Sequence, residues 1–232
     1  VAKEKVLNFS RELKAPTGKL VEFHGAKLLV PDNVYSPLED SELLALAVEK
    51  HAFGNFLEIG CGSGIQCILA AKKASVKKVV GVDLNEEAVV ACENNASING
   101  VAGKCLFFKS DLFSTLKTLH EVPAKFDCIA FNPPYLPTSA EDQVKGKFNL
   151  ALDGGLTGRK QMDAFILAVR GHLSPGGTVL LVSSSLSSSE EFEDGNKETI
   201  AKLEKEGFTC EVVGRQKLFF EELVVFKARN AI

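Results

Sequence analysis

From residue 55 onward, short apolar runs alternate with helical stretches in a fixed rhythm. Residues 55–60, 78–83, 105–109, 126–131 and 178–183 read as strands, and 65–74, 86–98, 158–173 and 196–206 as helices. Strand and helix in alternation build a parallel sheet covered by helices on both faces. The last two runs, 210–213 and 223–226, follow each other with no helix between, which requires an antiparallel pair at the end. The prediction is an α/β fold with a seven-stranded, mostly parallel sheet and an antiparallel last strand.

Ahead of this core, 19–24 and 26–30 flank Gly25 and predict a small β-hairpin. A helix follows, running to about Ala52, with Leu43, Leu44, Leu46, Ala47 and Val48 as its apolar face. Ser36 could cap it, with Pro37 at the first position and Glu39 closing a capping box. Asp40 or Ser41 is the alternative start. All 232 residues are then expected to form one domain, with 1–40 as a hairpin extension and 41–232 as the core.

Two stretches fit no regular element. Residues 183–195, rich in serine and acid, predict a solvated loop. Residues 137–157 are long for a connection, and long ordered loops are often functional. Asp153 and Arg159 could touch a substrate there or could form a loop salt bridge.

Composition narrows the chemistry. Lys and Arg number 27 against 30 Asp and Glu, so the net charge is −3 and no broad basic surface is available for nucleic acid. No apolar run approaches the roughly 18 residues of a membrane span. Residues 1–14 alternate charged and apolar positions and lack the core of a secretory signal. The six cysteines, Cys61, Cys67, Cys92, Cys105, Cys128 and Cys210, form no C-x-x-C pair, and the four histidines show no ligand spacing. Reduced thiols and no metal site are expected, in a cytoplasmic protein.

The segment Glu58-Ile59-Gly60-Cys61-Gly62-Ser63-Gly64 leaves the first core strand and opens a helix. A doubly wound fold places its nucleotide ligand at such a turn. The spacing is G-x-G-x-G and differs from the dinucleotide fingerprint. Asp83 ends the next strand and Asp111 follows the third, so Glu58, Asp83 and Asp111 are expected along one sheet edge. Acids repel a pyrophosphate but suit an adenosyl group bearing a cationic sulfonium, and Asp83 can accept both hydroxyls of a ribose.

After the fourth core strand comes Asn132-Pro133-Pro134-Tyr135. Such a segment can simply end a strand in a turn. It also suits methylation of a planar NH2 group: the Asn132 side-chain oxygen and a main-chain carbonyl near Pro133 can accept its two N–H groups. The nitrogen is then held toward the methyl carbon. Tyr135 would pack on the planar group and the prolines would stiffen the corner.

Together the glycine loop, Asp83, Asp111 and Asn132-Pro133-Pro134-Tyr135 resemble the class I methyltransferases that use S-adenosylmethionine. The match is nearer to the HemK family, which methylates the glutamine of the Gly-Gly-Gln motif in peptide-chain release factors. It extends over about residues 20–228 and includes Tyr35-x-Pro37-x-Glu39-Asp40-Ser41 and Gly154-Gly155-x-x-Gly158 followed by Met162-Asp163. The short N-terminal part resembles the archaeal and eukaryotic branch.

The resemblance implies a Rossmann-like fold and a cofactor site of Tyr35, Ser41, Glu58, Gly60, Cys61, Gly62, Asp83, Leu84, Asp111, Leu112 and Asn132. Within it Asp83 takes the ribose and Asp111 and Leu112 flank the adenine. Asn132, Pro133, Pro134 and Tyr135 would form the catalytic corner. Ser41 stands where the family usually has threonine. A small zinc-ribbon activator is implied as partner, and the apolar run 105–109 is where it is expected to add a strand. Adenine N6-methylation and lysine methylation remain the competing activities.

Overall fold

The computed structural model describes residues 18–138 and 153–230. The centre of the long predicted loop, with Glu141, Asp142, Lys145 and Lys147, lies outside the described residues, as do residues 1–14.

Strands β1 (Lys19–Phe23) and β2 (Ala26–Val30) form the expected hairpin. Its two-residue turn, His24 and Gly25, has φ of 48° and 65°, the left-handed pair that matches strand twist in a tight hairpin. Helix α1 (Glu39–His51) follows. The core then runs β3 (Gly54–Ile59), α2 (Ile65–Lys72), β4 (Val76–Asp83), α3 (Glu86–Ile98), β5 (Cys105–Lys109), β6 (Phe126–Phe131), α4 (Lys160–Val169), β7 (Leu173–Ser184), α5 (Gly195–Lys205), β8 (Phe208–Lys217) and β9 (Glu222–Asn230).

These strands make a seven-stranded sheet in the order β5-β4-β3-β6-β7-β9-β8. Only β9 runs against its neighbours. Alternate residues of each central strand enter opposite cores. Phe56, Cys128, Ala130 and Leu180 face β2, α1, α2 and α3. Leu57, Ile129, Val179 and Leu181 face Met162, Phe165, Ile166 and Val169 of α4 and Leu203 of α5. Burial on both faces explains why the strands read as nearly continuous apolar runs. The order reverses between β3 and β6, so a crevice opens beyond their carboxyl ends.

Several boundaries differ from expectation. Helix α1 starts at Glu39 with Leu38 at its cap position and no side-chain cap, so Ser36, Asp40 and Ser41 are not caps. Asp40 and Ser41 are instead buried in the first turn, while Leu46 is exposed. The predicted helix 158–173 begins only at Lys160 and gives way to a 3-10 turn at Arg170–His172. Strand β7 then runs through Pro175, Gly176 and Gly177, taken up by a register shift opposite Phe126 and Cys128. The terminal strands are longer than their apolar cores because charged pairs, Lys227–Glu211 and Arg215–Glu222, extend them.

The stretch 183–195 is not simply solvated: Ser183, Ser184 and Ser187 are buried. Ser183 meets Thr199, Ser184 meets Glu221, and Arg159 anchors Ser187. Its guanidinium lies buried, donates to the Ser187 carbonyl at 2.7 Å, and pairs with Asp163 at 3.0 Å and Glu198 at 3.1 Å. Arg159 therefore ties α4 to α5 and the serine segment, so of its two expected roles the structure gives it the salt bridge.

Candidate active site

The crevice at the carboxyl ends of β3, β4, β5 and β6 is an open cleft. Every residue expected in the cofactor site or catalytic corner lines it: Tyr35, Ser41, Glu58, Gly60, Cys61, Gly62, Asp83, Leu84, Asp111, Leu112, Asn132, Pro133, Pro134 and Tyr135. Asp153 does not; its carboxylate accepts the Gly155 N–H at 2.9 Å.

The loop from β3 to α2 has three glycines at positive φ, Gly60, Gly62 and Gly64, a conformation that side chains resist. A side chain at Gly62 would meet nothing within 4 Å, so its small size leaves the loop open for close approach by a ligand. Asp83 holds the loop, accepting the Gly62 N–H at 2.9 Å and the Asn85 N–H at 2.8 Å. Burial pushes the Asp83 carboxyl up, and these N–H groups oppose the shift.

Glu58 is more extreme. Its carboxylate accepts the Cys67 N–H at 3.1 Å and has no ion pair among the described residues. Burial pushes it up to about 8. A buried acid without a cation is costly unless a cationic ligand arrives. Asp111 lies exposed beyond β5, and the following Leu112 takes φ 45°, uncommon for leucine. The Ser110 hydroxyl fixes that turn by donating to the Leu112 carbonyl at 2.9 Å.

The opposite wall is a polar hub at Asp40. Its carboxylate accepts the Tyr35 hydroxyl at 3.2 Å, the Tyr135 hydroxyl at 3.3 Å, the Ser41 N–H at 2.6 Å and the Asn132 amide NH2 at 2.9 Å. Burial, reinforced by Asp40, pushes both tyrosines upward, so they remain O–H donors. With its NH2 engaged, Asn132 leaves its Oδ1 buried and without a partner. Gln66, donating to the Ser41 carbonyl at 3.0 Å, also leaves a buried acceptor unpaired on the cleft wall. Orphaned acceptors are rare in folded proteins and mark places where a donor is missing.

Behind the corner, Gly154 and Gly158 press on main-chain carbonyls. A Cβ at Gly158 would fall 2.2 Å from the Tyr135 carbonyl oxygen, and one at Gly154 2.9 Å from that of Pro134.

Residues 32–150 match the Methyltransferase small domain family. A relative from Methanocaldococcus jannaschii, named provisionally as a protein N5-glutamine methyltransferase, is 43% identical over 90% of this chain and 98% of its own length. This chain belongs to the methyltransferase small domain family. The methyltransferase is also 31% identical to the release factor glutamine methyltransferase of Geobacter sulfurreducens over 69% of its residues, and it spans only 56% of that longer protein. Among solved structures, the E. cuniculi Mtq2–Trm112 complex, described as responsible for methylating eRF1, aligns with TM-score 0.57 and 22% identity. That alignment covers 85% of this chain and 99% of the other, and it shows the shared fold.

Asp40 was readable as a helix cap and as part of the resembling segment 35–41, yet the structure makes it the hub of the cleft's polar wall. Its signal is its place on the buried stripe of α1, with Leu43, Leu44 and Ala47 three, four and seven residues on. A carboxylate on that stripe has to meet polar partners. Gln66 carries a similar signal within an otherwise apolar α2.

Proposed function

We propose that this enzyme transfers a methyl group from S-adenosylmethionine to the side-chain amide nitrogen of a glutamine, the one in the Gly-Gly-Gln motif of a peptide-chain release factor. The observation that carries this reading is the unpaired, buried Oδ1 of Asn132, held in the cleft by the bond from its own NH2 to Asp40.

The cofactor fits the residues present. Asp83 would accept the ribose hydroxyls while still holding Gly62. Asp111 and Leu112 would flank the adenine. Gly60, Cys61 and Gly62 give backbone access, and Glu58, Tyr35, Ser41 and Leu84 complete the wall. The acidic lining, with an unpaired Glu58, suits a ligand carrying positive charge. When bound, S-adenosylmethionine supplies an electrophilic methyl group on its sulfonium.

The chain's own residues would then orient the nucleophile. An amide nitrogen has its lone pair delocalised and needs positioning more than a strong base. Asn132 Oδ1 would accept one N–H and a main-chain carbonyl at the Pro133–Pro134 corner the other, turning the nitrogen toward the methyl carbon. Tyr135 would pack beside the amide plane. The tyrosine hydroxyls, committed to Asp40, stay protonated and take no proton from the substrate.

A release factor acts in translation termination, and an enzyme that modifies it would work in the cytoplasm. Among the described residues no helix is long and apolar enough to cross a membrane. A small zinc-ribbon activator would pair with β5, which borders only β4 and carries partly buried Leu106 and Phe108. The structural neighbour from E. cuniculi is itself a complex with Trm112.

The test is to incubate the enzyme with labelled S-adenosylmethionine and, separately, a release factor and an adenine-containing oligonucleotide, then locate the methyl group by mass spectrometry. Label on the motif glutamine is expected. Label on a lysine or on adenine would overturn the reading.

A further inference from the structure

Strands β7 and β8 run the same way because each pairs antiparallel with β9 between them. Their carboxyl ends, at Ser184 and Lys217, therefore share the sheet edge that carries the cleft. The connection from β8 to β9 projects from this edge, closed by the Leu218 N–H donating to the Glu221 carbonyl at 2.8 Å. Its tip is Phe219 and Phe220, 93% and 81% exposed, with rings in edge contact at 4.6 Å.

Local chemistry gives no reason for these residues. Two-residue hairpin ends favour glycine and asparagine at positive φ. Neither phenylalanine has positive φ, and the fold uses Leu218, not the two rings, as the apolar contact of this turn. Two adjacent aromatic rings left in water forgo a large burial gain. Local rules broken without benefit to the fold mark functional positions.

The tip is fastened to the end of β7. Ser184 donates to the Glu221 carboxylate at 2.5 Å. Glu221 also adds to the upward push that burial and Asp40 exert on Tyr35 and Tyr135. The aromatic pair thus stands at the same end of the sheet as the cleft that holds Asn132. Leu136, on the cleft wall directly after the catalytic corner, is a further exposed apolar side chain at this end of the sheet.

We propose that the Phe219–Phe220 tip is a docking element for the protein substrate, gripping an apolar surface beside the glutamine that enters the cleft. This rests on the glutamine reading above. One glutamine side chain in the cleft offers few contacts, so affinity for a whole protein must come from surface around the cleft. Exposed aromatics are the residue type that supplies such binding energy.

The experiment compares wild type, the double variant Phe219→Ser/Phe220→Ser, and Leu167→Ser, which alters another exposed apolar side chain on α4. Each is assayed with an intact release factor and with a short peptide containing the Gly-Gly-Gln motif. In the double variant KM for the intact factor should rise about tenfold or more. Its kcat, its cofactor affinity and its kcat/KM for the peptide should match wild type, and Leu167→Ser should match throughout. An unchanged KM for the factor overturns the docking role while leaving the glutamine reading intact. Equal losses with factor and peptide, or loss of self-association in sedimentation, also overturn it. If wild type transfers no methyl group to the factor's glutamine, the reading beneath it falls, and the docking role with it.

Discussion

The Asn132 side chain donates to the Asp40 carboxylate at 2.9 Å, a bond that joins the end of β6 to the first turn of α1. A carboxylate can only accept, so it dictates which end of the amide faces it. Asn132 must present its NH2 to Asp40 and its oxygen elsewhere. The two aromatic hydroxyls on the same carboxylate, from Tyr35 and Tyr135, fix Asp40 in turn.

Asn132→Ala is therefore expected to abolish methyl transfer while cofactor affinity stays nearly unchanged. Asp40→Ala should keep the cofactor but lower kcat about 100-fold, since Asn132 can then rotate out of the accepting orientation. Single-turnover transfer and calorimetric titration with S-adenosylmethionine separate the two effects. A normal transfer rate in Asn132→Ala would remove it from the reaction.

Asp83 has two tasks, since the carboxylate that faces the cleft also holds the Gly62 and Asn85 N–H groups. Asp83→Ala should weaken S-adenosylmethionine binding about 10- to 100-fold, the range for losing hydrogen bonds to a charged group. Its melting temperature should fall as well, because two N–H groups lose their acceptor. Unchanged affinity by calorimetry would exclude Asp83 from the site.

Glu58 makes stability depend on pH. Its carboxyl titrates at about 8 in the folded chain, against an ordinary value of 4.5. The folded state thus holds a proton that the unfolded state releases, so the contribution is full below pH 4.5 and is lost as pH rises through about 8. Burial of Asp83 pushes in the same direction. Glu58→Gln should be more stable than wild type near pH 8, with the difference vanishing toward pH 4.5 in urea titrations. In the wild type a cationic cofactor favours the ionised acid, so binding should release a proton. That release appears as a calorimetric enthalpy that changes with the ionisation heat of the buffer.

The Arg159 cluster is structural. Glu198 is almost wholly buried and relies on Arg159 at 3.1 Å and Lys202 at 2.7 Å. Arg159→Leu leaves Glu198 with Lys202 as its remaining cation and takes a donor from the Ser187 carbonyl, and should cost about 1–3 kcal/mol in urea unfolding. Cofactor affinity of the folded fraction should be unchanged, because neither Arg159 nor Glu198 lines the cleft.

The parts of this molecule that were legible in the sequence are those governed by neighbours in the chain. Short continuous apolar runs and glycine punctuation mark the strands, and the glycine loop marks the carboxyl end of β3. Asn132 to Tyr135 stand out as four consecutive residues. What escaped depends on distant partners. Asp40 acts through Asn132, 92 residues away, and Arg159 through Ser187, 28 residues away. The serine segment looked solvated because its buried groups find partners far along the chain: the Ser187 carbonyl meets Arg159, and the Ser183, Ser184 and Ser187 hydroxyls meet Thr199, Glu221 and the Gly158 carbonyl. Strands β8 and β9 looked short because cross-strand ion pairs carry residues that an apolar pattern omits.

Two glycines of one turn offer a test of the catalytic corner. Gly155 and Gly158 have nearly equal φ, 74° and 71°, so alanine at either suffers the same left-handed strain of roughly 1–2 kcal/mol. Their surroundings differ. Alanine at Gly155 would approach the Lys160 Cβ at 3.3 Å, where a small shift suffices. Alanine at Gly158 would sit 2.2 Å from the Tyr135 carbonyl oxygen, which has to move. Because Tyr135 closes the corner that begins at Asn132, that movement displaces the acceptors for the substrate amide. Gly155→Ala should therefore lose some stability and keep its kcat. Gly158→Ala should lose more stability and most of its kcat, with cofactor affinity preserved because the loop from Gly60 to Gly64 is untouched. Equal kcat in the two variants would show that the glycine turn does not position the corner.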